Sequence, residues 1–166
     1  MDFQKWIDFL DLEPHSEGGF FKQTFHSSTT VQNEEGKERF LYTSIYFLLR
    51  SEDRSHFHRL KSDELWYFHA GSPLTVHMIT EDGRYETKKL GLNTERGEYP
   101  QVLVPKNTIF GSTVDDPKTY SLVGCLVSPG FDYNDFELFT QEELLKKYPE
   151  HKKIIRHLAY EKIPNS

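Results

Sequence analysis

A mainly β domain of the jelly-roll or sandwich class is the fold this sequence predicts, and three observations carry it. The chain is aromatic-rich, with 13 Phe and 9 Tyr, residue types that suit half-buried pleated surfaces. Its apolar runs are short and are cut by turn signals such as AGSP, EDGR and VDDP. About eight strand candidates follow one another at the spacing of two-sheet architectures.

Taken in order, Phe3, Trp6, Ile7 and Leu10 recur at helical spacing, predicting a short amphipathic helix that stops near Pro14. After the Gly18-Gly19 break, FFKQTF reads as a strand, SSTTVQNEEGKER as a polar connection, and LYTSIYFLLR, apolar on both faces, as a central strand. The stretch SHFHRLKSDELWYFHAG, Ser55 to Gly71, reads as a strand, a turn and a returning antiparallel strand over Glu64 to His69. Further strands are expected over Leu74 to Thr80, Tyr85 to Leu90, Gln101 to Val104, Thr108 to Thr113 and Tyr120 to Ser128. Thr140 and Glu143 form a capping-box pattern ahead of LLKKY, and HKKIIRHLA repeats the helical period after Pro149, so a helical hairpin closes the chain. His151 and His157, set among lysines and an arginine, read as solvated.

At 166 residues the chain suits one domain, with a barrel over about 17–139 and a helical segment over about 140–160. A net charge of -6 and the lack of a basic patch interleaved with aromatics argue against nucleic acid as a partner. No run approaches the roughly 18 apolar residues that cross a bilayer, and MDFQKWIDFL lacks the pattern of a signal peptide, so a soluble cytoplasmic protein is expected. The single cysteine, Cys125 in SLVGCLV, reads as a small buried hydrophobe and excludes an intramolecular disulfide.

The histidine-rich stretch carries the chemistry. His56 and His58 are two apart, a spacing that puts both rings on one face of a regular strand. If Glu64 returns beside them, two histidines and a carboxylate form a facial set suited to a divalent transition metal such as Zn, Fe, Mn or Ni. The same parity turns Glu64, Trp66 and Phe68 inward and Leu65, Tyr67 and His69 outward, giving an aromatic cavity around one polar cluster. His77, which interrupts LTVHMIT, faces either a pocket or a hydrogen-bonded place in the core. The alternative is that SHFH is a surface turn and its acids are solvated.

Read together, LEPHSEGGFFKQTF, YTSIYFLL, FHRLKSDELWYFHAGSPL, PQVLVPKNTIFGS and YSLVGCLVSPGFDYNDFEL resemble the cupin superfamily, and within it the small RmlC-like cupins whose domain has no known function. The resemblance spans most of residues 12–139 and implies a double-stranded β-helix, or jelly-roll, barrel with an N-terminal helix and C-terminal helices. By position it makes His56, His58 and Glu64 the metal ligands. Two departures weigh against that set: the gap from His58 to Glu64 is one residue longer than the family's pattern, and PKNTIFGS puts Phe110 where a completing histidine would stand.

A pocket centred on His58 and Glu64 is the firmer expectation, with walls from Tyr46, Trp66, Phe68 and Phe110 and further polar contacts from His77 and Gln101. The family resemblance implies a small polar or cyclic ligand. It also allows a metal-independent sugar epimerase or isomerase with His58 as base and Glu64 orienting it, or a metal-dependent cupin enzyme, or a binding or storage protein without turnover. Similar small cupins imply a homodimer. PHSEGG, with His15, reads as a turn or interface segment, and Asp132, Asp135 and Glu137 read as caps of backbone amides in preference to a pocket mouth.

Overall fold

The computed structural model describes residues 2–164. The strands are β1 (Glu13–Pro14), β2 (Phe20–His26), β3 (Thr30–Gln32), β4 (Glu38–Phe40), β5 (Thr43–Arg50), β6 (Ser55–Arg59), β7 (Asp63–Gly71), β8 (Leu74–Ile79), β9 (Tyr85–Leu90), β10 (Glu98–Tyr99), β11 (Gln101–Val104), β12 (Ile109–Thr113), β13 (Tyr120–Ser128) and β14 (Glu137–Leu138). Twelve of them form two six-stranded sheets, β1-β2-β5-β13-β7-β11 and β10-β9-β8-β12-β6-β14, and β3 pairs with β4 alone. Chain neighbours repeatedly fall in different sheets, which is the jelly-roll arrangement. Phe47, Trp66, Val76, Met78, Phe110 and Val123 make one buried cluster between them.

The helices cover outer faces. Helix α1 (Phe3–Leu10) is capped by the Asp2 side chain on the Gln4 amide and ends at Asp11, whose left-handed φ of 53° turns the chain before Pro14 is reached. Its Phe3, Trp6, Ile7 and Leu10 pack with Leu48 and Leu122, and Trp6 Nε1 donates to the Tyr120 hydroxyl at 3.1 Å. Helix α2 (Gln141–Lys147) carries the complete Thr140/Glu143 capping box. With α3 (Lys152–Leu158) it buries Leu144, Ile155 and Leu158 against Phe57, Ile79 and Ile109 of the second sheet. His151 is not a free surface group, because its Nε2 bonds the Gly83 carbonyl at 2.7 Å and ties the helices to the β8–β9 turn.

Two local readings change. The polar connection after β2 is a hairpin, β3 against β4. The Asn33 carboxamide accepts from the amides of Glu35 and Lys37, and Gly36 takes φ 74°, so a short side-chain-stapled turn forms where composition reads as loop. In β6, Ser55 pairs with Ser112 and His58 with Phe110, so two residues, His56 and Phe57, stand against the single Gly111 of β12. This bulge breaks the two-residue period inside SHFH.

Candidate functional site

The site begins with the segment between β1 and β2. Gly18 has φ 114°, and a Cβ there would lie 1.9 Å from the Arg54 carbonyl oxygen; at Gly19, φ 74°, it would lie 2.8 Å from that of Leu48. Only glycine lets the chain press this closely on the ends of β5 and β6. The result is that Glu17 enters the barrel, where it is 6% exposed. Its carbonyl is pinned from outside by His56, through the backbone amide at 2.7 Å and through ring Nδ1 at 2.7 Å. The His56 ring stacks on Tyr160 at 3.6 Å, and the Tyr160 hydroxyl donates to the Ser16 carbonyl.

The β6 bulge decides which residues meet Glu17. Ser55 and His58, three apart, both reach it: Ser55 Oγ donates to Oε1 at 2.9 Å and His58 Nε2 lies 3.0 Å from Oε2. His58 Nδ1 donates to the His56 carbonyl at 2.7 Å, so both imidazole nitrogens are engaged. Burial favours the neutral form of each partner, yet the mutual charge and hydrogen bond outweigh it. Glu17, with His15 and Ser55 also contributing, is held down at about 2, and His58 is raised above its ordinary value. The two form a buried carboxylate–imidazolium pair. His15 accepts the Glu17 amide hydrogen at Nδ1, 3.1 Å, which places the proton of its neutral ring on Nε2. Burial lowers the His15 pKa in keeping with that neutral state.

Glu64 completes the cluster from β7. Burial, reinforced by the Glu17 charge, pushes its pKa up to about 8 despite the opposing influence of His58. Two buried carboxyl groups thus share one cavity, one ionised and one protonated at neutral pH. Burial likewise raises the neighbouring Cys125 thiol well above its ordinary value, so it is protonated rather than nucleophilic. Glu64 Oε2 and Trp66 Nε1 are buried without a well-formed hydrogen bond, although the Trp66 N–H and the Cys125 thiol lie close enough to Glu64 to oppose the rise of its pKa.

These groups line a cavity of about 190 Å³. Its wall is the inner face of the first sheet, in cross-strand rows Ile45–Cys125–Trp66 and Thr43–Val127–Glu64, with Phe21, Gln23 and Phe47 beside them. Leu60, Phe131, Tyr133 and Glu13 complete the lining. Arg39 of β4 grips the segment that carries Phe131 and Tyr133 by a bidentate pair with buried Asp135, at 2.8 and 3.0 Å.

Of the residues singled out in the sequence, His58, Glu64 and Trp66 lie together on the cavity wall. Phe110 packs behind His58, ring centroids 4.1 Å apart. The others sit elsewhere. His56 faces Tyr160. Tyr46 lies on the outer face of its sheet, against His69 and the α1 cluster, because the inward phase of β5 belongs to Ile45 and Phe47. Phe68 packs on the edge of the core cluster and does not line the cavity. His77 points outward, bonding the Tyr85 hydroxyl and Thr113 Oγ1 at 2.7 and 2.8 Å, and Gln101 is exposed on the edge strand β11.

The expected metal set therefore does not form. His56 is turned away by the bulge, and both His58 nitrogens are bonded within the protein. Among the described residues no group of three or more His, Cys, Asp or Glu side chains is placed to hold a metal ion. Sequence reasoning missed Glu17 and His15. The available signal was PHSEGG, whose two glycines mark a close backbone approach next to an acid and an imidazole.

Two facing sheets in jelly-roll order around a buried histidine–carboxylate cluster define a cupin barrel. Residues 4–139 match the family described as Cupin superfamily (DUF985), and the chain belongs to that family. It is 28% identical over 157 residues to an uncharacterized protein of Saccharomyces cerevisiae, covering 86% of this chain and 78% of the relative. A hypothetical protein from Leishmania major is 46% identical with a TM-score of 0.91, covering 95% of this chain and 98% of that one. A protein from Shewanella oneidensis is 49% identical with a TM-score of 0.90, covering 98% and 99%. A variant oxalate decarboxylase of B. subtilis, 17% identical with a TM-score of 0.57, covers 95% of this chain but 42% of its own and shows the shared fold alone. Among the described residues no helix is long and apolar enough to cross a membrane.

Proposed function

We propose that this cupin binds a small, single-ring-sized molecule inside the barrel, with Glu64 and Trp66 as its hydrogen-bonding contacts and the Glu17–His58 pair as a fixed electrostatic frame. One observation carries the reading: two residues that line the same cavity, Glu64 and Trp66, hold buried polar atoms, Oε2 and Nε1, that make no well-formed hydrogen bond. Buried polar groups are ordinarily paired, so two such groups at one void are the mark of a site completed by something else. The size limit follows from volume, since an apolar cavity of about 150 Å³ holds benzene and this one measures about 190 Å³.

The test is a thermal-shift screen of single-ring compounds against wild type and Val127→Phe, which places a ring in the cavity. Hits that stabilise wild type and leave the filled variant unmoved support the site; hits that stabilise both equally contradict it.

A second reading, an isomerase that moves a proton beside a carbonyl, is favoured by the two carboxyl groups held in opposite protonation states. His58 is a poor base because both nitrogens are engaged. The ionised fraction of Glu64, with its pKa near the working pH, would accept the C–H proton beside the carbonyl, its electron pair passing into the enolate, and return it to the same carbon or to the far carbon of a conjugated enolate. Trp66 N–H would stabilise the enolate oxygen meanwhile, and no oxidant or reductant is consumed. Solvent deuterium entering cyclic ketones with wild type but not with Glu64→Gln supports this chemistry; equal incorporation by both removes it. The proposal also includes a cytoplasmic homodimer. Support for the dimer is an apolar row across the outer sheet face, Leu103–Leu65–Leu126, continued through Ser44 to Phe25, which is 67% exposed.

A further inference from the structure

We infer that the ligand of this cavity is a small organic cation, a single ring bearing an ammonium group, held by the carboxyl groups and the aromatic side chains of the lining. The inference rests on the binding reading above and narrows it to a chemical class.

The sign of the lining sets the charge. Three acidic side chains, Glu13, Glu17 and Glu64, contribute to the cavity wall, and among the described residues no lysine or arginine does. Arg39, which grips the neighbouring segment, is committed to Asp135. The cation of the interior, His58, is already paired with Glu17. Glu17 still has acceptor capacity, because a carboxylate offers about four lone-pair sites and only Ser55 and His58 occupy its oxygens. Glu64, carried to the inner face by β7 and 7% exposed, has no cation of its own, and its Oε2 makes no well-formed hydrogen bond. Glu13 is exposed and brings a third carboxylate to the rim. The charges of Glu17 and Glu13 both reach Tyr133, where they add to the rise that burial gives its phenol. Gln23 and the Tyr133 hydroxyl accept as readily as they donate, so neither opposes a cation. An ammonium ion entering here meets acceptors and a net negative lining, whereas an anion would be buried with no free positive charge to answer it.

The rest of the wall suits the same ligand. Phe21, Phe47, Trp66, Phe131 and Tyr133 contribute to it. Aromatic faces attract cations, more strongly where water is excluded, and this offsets part of the cost of taking an ammonium ion out of solvent. The same side chains pack against a ring, and the volume of about 190 Å³ admits one ring with a short substituent.

The experiment titrates benzylammonium, benzamide and benzoate into the intact protein at pH 7 and follows binding by calorimetry. Val127→Phe serves as the filled-cavity control, and the indole N–H resonance of Trp66 provides an independent locator if that variant is unstable. Benzylammonium should bind saturably, benzamide should enter the same cavity about tenfold more weakly, and benzoate should be weakest, the differences expected when a charge-assisted contact is kept, lost or reversed. Glu64→Gln, which keeps the shape and removes the charge, should weaken benzylammonium about tenfold while changing benzamide by less than about twofold. If benzamide or benzoate binds best, or Glu64→Gln leaves benzylammonium unaffected or weakens both ring compounds alike, the cation inference falls; the cavity reading survives wherever binding is blocked by Val127→Phe and moves the Trp66 resonance. If none of the three binds at millimolar concentration, or binding neither responds to Val127→Phe nor moves Trp66, both fall.

Discussion

Two histidine-centred clusters sit on opposite sides of the barrel wall, and they differ in whether the protein completes them. On the outer face, His77 bonds Tyr85 and Thr113, Thr113 donates to Asp115 at 3.1 Å and Thr75 donates to Asp115 at 2.7 Å. Burial lowers the His77 pKa to about 4, so the ring is a neutral link in a closed chain. In the barrel, the Glu17–His58 pair is equally closed, but beside it Glu64 Oε2 and Trp66 Nε1 make no well-formed hydrogen bond and their residues border a cavity. A completed network stabilises the fold; an incomplete one beside a cavity is available to a ligand.

The largest expected effect breaks the inner cluster. Glu17→Ala removes one partner of a buried ion pair and should cost about 3–5 kcal/mol in urea unfolding at pH 7. A loss below about 1 kcal/mol, the range of exposed pairs, would mean that the pair is not ionised as described. His77→Phe should cost less, about 1–3 kcal/mol, because it leaves neutral groups unbonded. It should leave ligand affinity unchanged, and a change in affinity would erase the distinction between the two clusters.

A smaller effect comes from pH. Glu64 is raised from the ordinary 4.5 to about 8, so in that window the folded state holds a proton that the unfolded chain has released. Its contribution is complete below about 4.5 and is lost as pH rises toward about 8. The stability of Glu64→Gln relative to wild type should therefore grow steadily across the window. Glu17 acts in the opposite sense, its contribution being present above about 4.5 and lost as pH falls toward about 2. A difference curve for Glu64→Gln that is flat between pH 5 and 8 would contradict the assignment of the protonated carboxyl. The smallest effect concerns assembly: light scattering should give twice the mass of one chain, and Leu103→Glu should halve it without altering the Trp66 environment.

Much of the fold was legible because it is written in short-range pattern. Aromatic runs and turn residues mark the long strands, and the two-residue period of β7 carries Glu64 and Trp66 to the inner face while leaving His69 outside. The hairpin of β3 and β4 was less legible, since its stability comes from one Asn33 side chain and Gly36 rather than from apolar alternation. At the site, the same period fails where β6 bulges. His56 and His58 look equivalent in HFH, yet an extra residue against β12 sends one ring to Tyr160 and the other to Glu17. Tyr46 is a phase error of one residue in a strand apolar on both faces, where alternation carries no direction. Glu17 was hidden differently: it reaches the barrel through a glycine turn about forty residues upstream of His58, a separation that periodicity within a strand does not reveal.

The most direct test of the central claim uses the two indole N–H groups of the protein. Trp6 Nε1 is bonded to Tyr120 on the outer face, whereas Trp66, which lines the cavity, holds its Nε1 buried beside Glu64 without a well-formed hydrogen bond. In a ¹⁵N-labelled sample assigned with Trp66→Phe, titration with benzamide should move the Trp66 indole resonance downfield in a saturable manner and leave that of Trp6 in place. A Trp66 resonance that stays fixed while benzamide binds would contradict the account, because the ligand would then lie somewhere other than in the cavity that Trp66 lines.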